Sequence, residues 1–441
     1  MLRPMAAAAV ALSACLAAVT PGRAQDAVLQ QEILFQQTLR EPGNIEAVFA
    51  FARVATANGD YEAAIGALER IQFFQPGLAR VKYELGALYF RLRAYEMARR
   101  YFKEALSCPD LDPVTRDRIE TSLPDAEKQL QQSRLSGFLQ GGVRYQSNAT
   151  YAPNGGVVSL GGLDLALLPS ATKKPDGNLF GLVGISHDYD LDNGRGDTLE
   201  TRFVGYGTDQ FRFHDLNVGL AELTFGPRFA LAPELLPGAT VKPYLVGGNT
   251  WIGGAQYLSV VGAGISASFP VAQRASLTPG FEWNRVDVNT GSPLPVSTFN
   301  SGDWFTASLA AIAQINEHIT LRAQGLYRRG TDTAATYFDF NQWEADASLT
   351  YAFPSLLGAS LNWSVSPFAR VIWTSFDAPN PAIDPLTTRR DTEWTAGVIF
   401  DTPISKTFGV STTLQYDRTN STLPNYRQDN LSAMTGPTVR F

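Results

Sequence analysis

Residues 318–330 read HITLRAQGLYRRG. Ile319, Leu321, Ala323 and Tyr327 fall on one side of a two-residue repeat, and Thr320, Arg322, Gln324 and Arg328 fall on the other. Alternation of this kind marks a strand with two unlike faces and is incompatible with a helical period. The stretches around it do the same. In 303–315, DWFTASLAAIAQI, Phe305, Ala307, Leu309, Ala311, Ala313 and Ile315 oppose Thr306, Ser308 and Gln314. In 392–401, TEWTAGVIFD, Trp394, Ala396, Val398 and Phe400 oppose Glu393, Thr395 and Asp401.

Periodicity alone does not say which face is inside. Two further features do. Aromatic residues sit near the strand ends, where a membrane barrel needs interfacial girdles. The connections also alternate in length, with short PVAQR, INEH and PISKT between long NTGSPLPVSTFNSGD, RRGTDTAATYFDFN, FDAPNPAIDPLTTRRD and RTNSTLPNYRQDN. Short turns at one rim and long loops at the other characterise outer-membrane barrels. Counting starts near 138, 179, 199, 215, 239, 257, 275, 303, 318, 339, 359, 390, 407 and 428 predicts a transmembrane antiparallel β-barrel of about 14 strands over 137–441. Residues 149–178 become the first long loop, either folded back into the lumen or left on the surface.

With the apolar faces against lipid, Arg322, Arg328, Glu344, Asp346, Glu393 and Asp401 are expected to face the lumen. There they either meet what passes through or pair across strands and hold a closed barrel rigid. In the last strand Leu431, Ala433, Thr435, Pro437, Val439 and Phe441 share the lipid-facing row, opposite Asn430, Ser432, Thr438 and Arg440. Phe441 looks like a barrel-assembly signal. Pro437 cannot donate to a ladder, which suits a seam where first and last strands pair imperfectly.

The front of the chain is different. MLRPMAAAAVALSACLAAVTPGRAQ has the charge, apolar run and small residues of a secretory signal, with cleavage after Ala24. Leu12-Ser13-Ala14-Cys15 is a rival site for lipidation of Cys15. Residues 25–136 are expected to form a helical domain in the periplasm, because 42–109 repeat with an offset of 34: Pro42-Gly43 as Pro76-Gly77, Phe49 as Tyr83, Tyr61 as Tyr95, Ala64 as Ala98, Leu68 as Phe102. That period resembles the tetratricopeptide repeat, whose concave groove binds partners; Tyr61, Tyr83 and Tyr95 are the candidate groove residues. A segment over 112–134 caps the stack, with Pro124 expected to restart a helix at its first turn. The fold class is therefore multidomain α + β.

A net charge of −6 argues against a nucleic-acid partner, and two cysteines with three histidines offer no metal spacing. His187, beside Asp188 and Asp190, reads as a rim residue, and Asp192–Asp197 as a hairpin turn rather than a calcium loop. No nucleophile elbow, phosphate loop or zinc motif is present, so neither an enzyme nor a cofactor is expected.

Two short stretches carry a resemblance. The first strand ends GVRYQSNATYAP, with Ser147, Asn148 and Pro153, and the last hairpin reads LQYDRTNSTLPNYRQDN, with Tyr416, Asn420 and Ser421. With the signal, the repeats, the strand count and the terminal Phe, the chain resembles the surface lipoprotein assembly modifier (Slam) family. The resemblance implies an outer-membrane translocon that moves a cargo lipoprotein or related secreted protein to the cell surface. Its partners would be that cargo, periplasmic chaperones, the barrel-assembly machinery and outer-membrane lipid. A porin-like or exopolysaccharide export pore stays open as the alternative.

Overall fold

The computed structural model describes residues 21–41, 43–232, 234–289, 301–332, 335–356 and 361–441. Residues 1–20, with Cys15 and most of the expected signal, and the long connection over 290–300 lie outside the described residues. The chain divides into two compact units, meeting in sequence at Arg134 and Leu135.

Six helices form the first unit among the described residues: α1 (Pro21–Arg40), α2 (Ile45–Ala57), α3 (Tyr61–Phe74), α4 (Ala79–Arg91), α5 (Tyr95–Leu106) and α6 (Pro113–Gln129). The pair α4–α5 starts 34 residues after α2–α3, the spacing read from the sequence. Asn44 and Asp60 cap α2 and α3 by accepting from the amides of Ala47 and Ala63, satisfying donors that a helix start leaves without partners. Gly59 turns the chain with φ +79°, and the equivalent Arg93 adopts φ +61° without a glycine's freedom. Packing between the helices depends on small residues. Ala64 and Ala98 are fully buried, and a Cβ on Gly86 would lie 2.6 Å from the Phe102 ring. Phe51, Leu68, Ile71 and Leu85 fill one core, Phe102 and Ile119 a second.

Pro124 does not restart a helix. It lies inside α6, and the first-turn proline is Pro113, with Asp112 as the cap that accepts from the Thr115 amide. A hydrogen bond from the Thr115 side chain, and then that amide bond, holds the Asp112 carboxyl below its usual range. Pro113 needs no amide at that position and fits the start of a helix, whereas Pro124 only forgoes one interior bond.

The second unit carries the strands: β1 (Ser133–Gln146), a small hairpin β2 (Val157–Leu160) and β3 (Leu163–Ala166), then β4 (Asp176–Asp190), β5 (Thr198–Gln210), β6 (Val218–Ala230), β7 (Thr240–Ile252), β8 (Ala255–Ala272), β9 (Ala275–Val288), β10 (Gly302–Gln314), β11 (Ile319–Asp332), β12 (Phe340–Pro354), β13 (Asn362–Phe376), β14 (Arg390–Pro403), β15 (Phe408–Ser421) and β16 (Gln428–Arg440). Fourteen of them close a barrel in sequence order, with β1 beside β16, and the hairpin stands apart. The first strand starts at Ser133, five residues ahead of the expected 138 and inside the segment expected to be helical. The sequence hides that start, because Ser133–Arg134 directly continue a polar helical run.

Register fixes the two faces. Thr306, Arg328, Gln342 and Thr374 are successive partners across β10–β13 and share the interior, while Phe305, Tyr327, Trp343 and Trp373 belong to the exterior rows. Two aromatic belts ring the outside. Trp251, Trp283, Phe305, Tyr327, Trp343, Trp373 and Trp394 lie toward one rim, and Tyr189, Phe229, Tyr351, Phe353, Phe400 and Phe408 toward the other. Trp343 to Phe353 on β12 spans ten residues, ~33 Å along the strand, or about 25 Å of height at a tilt of about 40°. Leu245 (62% exposed) and Val261 (67%) lie between the belts. An apolar band of that height, bordered by aromatics and closed without an edge, is the exterior of a transmembrane barrel.

Candidate functional site

The interior surface is polar but not uniformly so. Arg322, Arg328, Glu344, Asp346, Glu393 and Asp401 all stand on the inward rows. Three of them are engaged. Arg328 donates to Thr306 Oγ1 and Gln342 Oε1, both at 3.1 Å, with its guanidinium 5.2 Å above the Trp304 ring. Glu344 pairs with Arg370 at 3.1 Å. Asp401 takes both its bonds from Arg440, at 2.7 and 2.6 Å. Arg322, Asp346 and Glu393 make no hydrogen bond or ion pair with the described residues. The six are not gathered into one site; they are spread over three strands, β11, β12 and β14, and several depths.

The tightest charge cluster was not foreseen. Glu200 on β5 accepts from Arg202 (3.1 Å), Arg228 on β6 (2.7 Å) and Lys242 on β7 (2.8 Å), and it is only 4% exposed. These residues come from three strands, and only the register puts Glu200 and Lys242 on one face. Across the wall Glu282 accepts from Tyr244 Oη (2.9 Å) and Asn284 Nδ2 (2.7 Å). Such ties are worth about 0.5–1.5 kcal/mol each, more when a charge takes part. They stitch neighbouring strands from the lumen side.

Interior aromatics lie flat on glycines. A Cβ on Gly330 would sit 2.2 Å from the Phe340 ring, and one on Gly264 would sit 2.4 Å from Tyr244. Glycine here lets a ring fold against the wall instead of standing into the lumen.

At the rim that carries the long loops, the connection from β1 to β4 lies over its neighbours. Ser159 and Asn425 exchange two bonds (2.8 and 3.0 Å), and Gly161 and Gly162 donate to Ala382 and Ile383. The first of the two resembling stretches forms a clasp. Ser147 N–H donates to Leu431 O (2.9 Å), Leu431 N–H to Ser147 Oγ (2.8 Å) and Asn148 N–H to Asn430 Oδ1 (3.0 Å), while Asn148 Oδ1 accepts from Ala152 N–H (3.2 Å). Pro153 follows at the start of the next turn. Tyr416, Asn420 and Ser421 are not part of this clasp: Tyr416 faces outward opposite Leu431, Asn420 accepts from Arg418, and Ser421 Oγ accepts from the Leu423 amide. Asn430 was missed as the partner, since nothing in its local sequence separates it from Asn425.

The clasp sits at one end of the β1–β16 seam. At the other end Gly137 and Phe441 exchange both backbone bonds, at 3.0 and 3.1 Å, and the Phe441 ring lies against Gly137. Between them the pairing runs from Phe138 to Gln140 and from Val143 to Gln146, with a break at Gly141–Gly142 opposite Gly436–Pro437. Bonded pairs alternate along antiparallel strands, so Pro437 stands where its amide would have faced Gly141.

In the helical unit the three tyrosines are packing residues, each half-buried. Tyr61 rests on the first core, Tyr83 lies 6.0 Å from Phe102 and Tyr95 lies 5.3 Å from Phe90. Burial, and then Glu84, raises the Tyr83 phenol. Tyr89 stacks on Tyr101 at 5.4 Å and donates to Glu69; burial, then that bond, pushes its phenol up to about 12. Among the described residues, the aromatics this unit leaves most open are Phe73 (83% exposed) and Phe74 (57%).

His187 lies on the outward row of β4, opposite Thr201, and Asp192–Asp197 close a hairpin in which Leu191 N–H donates to Asp197 O. No cluster of metal-ligating side chains occurs among the described residues.

No family model matches the chain, and no curated protein matches it in sequence. Solved structures similar to it include a FadL homologue from Pseudomonas aeruginosa, at 11% identity over 72% of this chain and 90% of that one with a TM-score of 0.35. An anion-selective porin from Comamonas acidovorans gives 10%, 70%, 99% and 0.36 in the same terms, and a bacterial polysaccharide outer membrane secretin gives 11%, 69%, 98% and 0.35. At these values the likenesses assign neither substrate nor activity to this chain.

Proposed function

We propose that this protein is an outer-membrane transport barrel whose helical unit, in the periplasm, captures a secreted protein or lipoprotein cargo for delivery through the barrel. One observation carries the reading: a closed barrel with an apolar exterior and a charged, polar interior shares its chain with a stack of repeated helix pairs. A helical stack of this period binds extended segments of partners, and it supplies no chemistry. The resemblance to the Slam family, read from the repeats and the strand-end stretches, supplies the cargo class. In this reading the repeats are tetratricopeptide repeats with partners that include periplasmic chaperones, and Phe441 marks the last strand for the barrel-assembly machinery. The interior of mixed sign favours a chain with charges of both signs over a polysaccharide, for which a continuous aromatic or single-sign track is expected.

A second reading, a pore for small solutes, is favoured by a cavity of about 250 Å³ within the barrel unit. Reconstitution into liposomes separates the two. Protease-accessible cargo that appears only with the protein is the expected result. Release of small solutes with no movement of cargo overturns the translocon reading in favour of the pore.

A further inference from the structure

The cavity of about 250 Å³ is lined by Arg144 from β1, Tyr151 from the first long loop, Glu393 from β14, Asp417 and Thr419 from β15, and Gln428 from β16. Its charges differ in what already satisfies them. Asp417 is held by Thr395 Oγ1 at 2.9 Å and by Gln415 Nε2 at 2.7 and 2.9 Å, so its lone pairs are occupied by the wall itself. Asp429, also at the cavity, takes Lys173 and Asn154. Glu393 takes no hydrogen bond or ion pair from the described residues. The cations around it are turned elsewhere: Arg389 binds Asp391 at 2.6 Å, Arg370 binds Glu344 at 3.1 Å, and Arg418, which also lines the cavity, stands on the outward row opposite Trp394 and donates to Asn420 Oδ1 at 3.2 Å. Arg144 is likewise without an anion and donates only to the Tyr206 hydroxyl, at 3.3 Å, among the described residues.

An unpaired carboxylate and an unpaired guanidinium lining one cavity, both partly buried, are costly unless a guest satisfies them. We infer that this cavity binds a small zwitterion, with Glu393 receiving its ammonium group and Arg144 its carboxylate. Size narrows the class. At about 30 Å³ of liquid volume per water the cavity holds about eight waters, which corresponds to a solute of about eight to ten non-hydrogen atoms. A dipeptide of the smallest residues has that size. Recognition of both termini selects against uncharged sugars, which leave both side chains unpaired, and the volume of about 250 Å³ selects against longer peptides. The inference goes beyond the translocon reading and does not depend on what the barrel moves: a failed cargo assay leaves it standing.

Calorimetric titration of the full chain, folded in detergent micelles, with glycylglycine tests it. Saturable binding is expected, weakened at least about tenfold by Glu393→Gln and by Arg144→Gln. On the unaltered protein, N-acetyl-glycylglycine, which lacks the cation, and glycylglycine amide, which lacks the anion, are each expected to bind at least about tenfold more weakly. Xylose, uncharged and of similar size, is expected not to bind. Absence of saturable glycylglycine binding overturns the inference, as does equal affinity for xylose, for both capped forms, or for both variants. Should a variant fail to give a heat-modifiable barrel, the capped ligands on the unaltered chain decide the question.

Discussion

The helical unit and the barrel solve the same problem in opposite directions. In the helices the large apolar side chains point inward, and Phe51, Leu68, Leu85 and Phe102 are almost wholly buried. On the lipid-facing rows of the barrel they point outward, and Leu245, Val261, Trp394 and Phe400 are exposed on the protein's own surface. The stabilising surroundings of the first are other side chains, and those of the second are lipid. Side-chain loss should therefore act through packing in one unit and through the membrane in the other.

The largest effect that separates the two is expected from Leu85→Ala. Removing a fully buried leucine from a close-packed core costs about 2–5 kcal/mol. Far-ultraviolet circular dichroism of the full chain should lose its helical transition at a lower temperature, while the heat-modifiable barrel band stays where it was. A barrel band that shifts by the same amount would break the comparison, since the two units would then share one core. The reverse case is Leu245→Arg. On the lipid face near the midplane the charge costs about 2–4 kcal/mol, falling off toward the belts. Barrel unfolding by urea from liposomes should show it, and the helical transition should not.

What the sequence carried and what it did not follows the same division. Alternation in HITLRAQGLYRRG and its neighbours was legible because a lipid-facing row must be apolar at every second residue, and β10, β11 and β14 begin within two residues of their expected starts. Early strands were harder to read. Phe180, Leu182 and Val204 lie on inward rows of β4 and β5, so apolar residues stand on both faces there. The helix period was legible because buried Ala64 and Ala98 must be small at the same point of each pair. The clasp, the Glu200 cluster and the cavity were not legible. Each joins residues from strands far apart in sequence, such as Ser147 with Asn430 or Glu200 with Lys242, and a face assignment places a side chain indoors without naming its neighbour. The three tyrosines show the converse: a repeat pattern locates aromatics without saying whether they line a groove or seal a helix pair.

A smaller comparison lies within the barrel wall. Between β10 and β11 the pairing is continuous from Gly302 with Asp332 to Gln314 with Thr320, whereas between β1 and β16 it is broken in the middle and tied by side chains at the loop end. If those ties replace the missing ladder, Asn430→Ala should cost about 1–3 kcal/mol, because it strands the buried amide of Asn148. The urea midpoint of the barrel reads it directly. An unchanged midpoint would mean that the seam is held by its backbone bonds alone.

The weakest expected effect tests the break itself. Pro437 denies Gly141 O an amide donor on the β16 side, and threonine fits the lipid-facing row while restoring that donor. Pro437→Thr should therefore raise barrel stability by about 0.5–1.5 kcal/mol, the net worth of one hydrogen bond. The close approach of the strands works against the gain, since a Cβ on Gly436 would already lie 1.9 Å from Gly141 O. A barrel that gains nothing would show that the two glycines, and not the proline, set the gap, and Gly141 rather than Pro437 would then be the residue that keeps this seam unlike the rest of the wall.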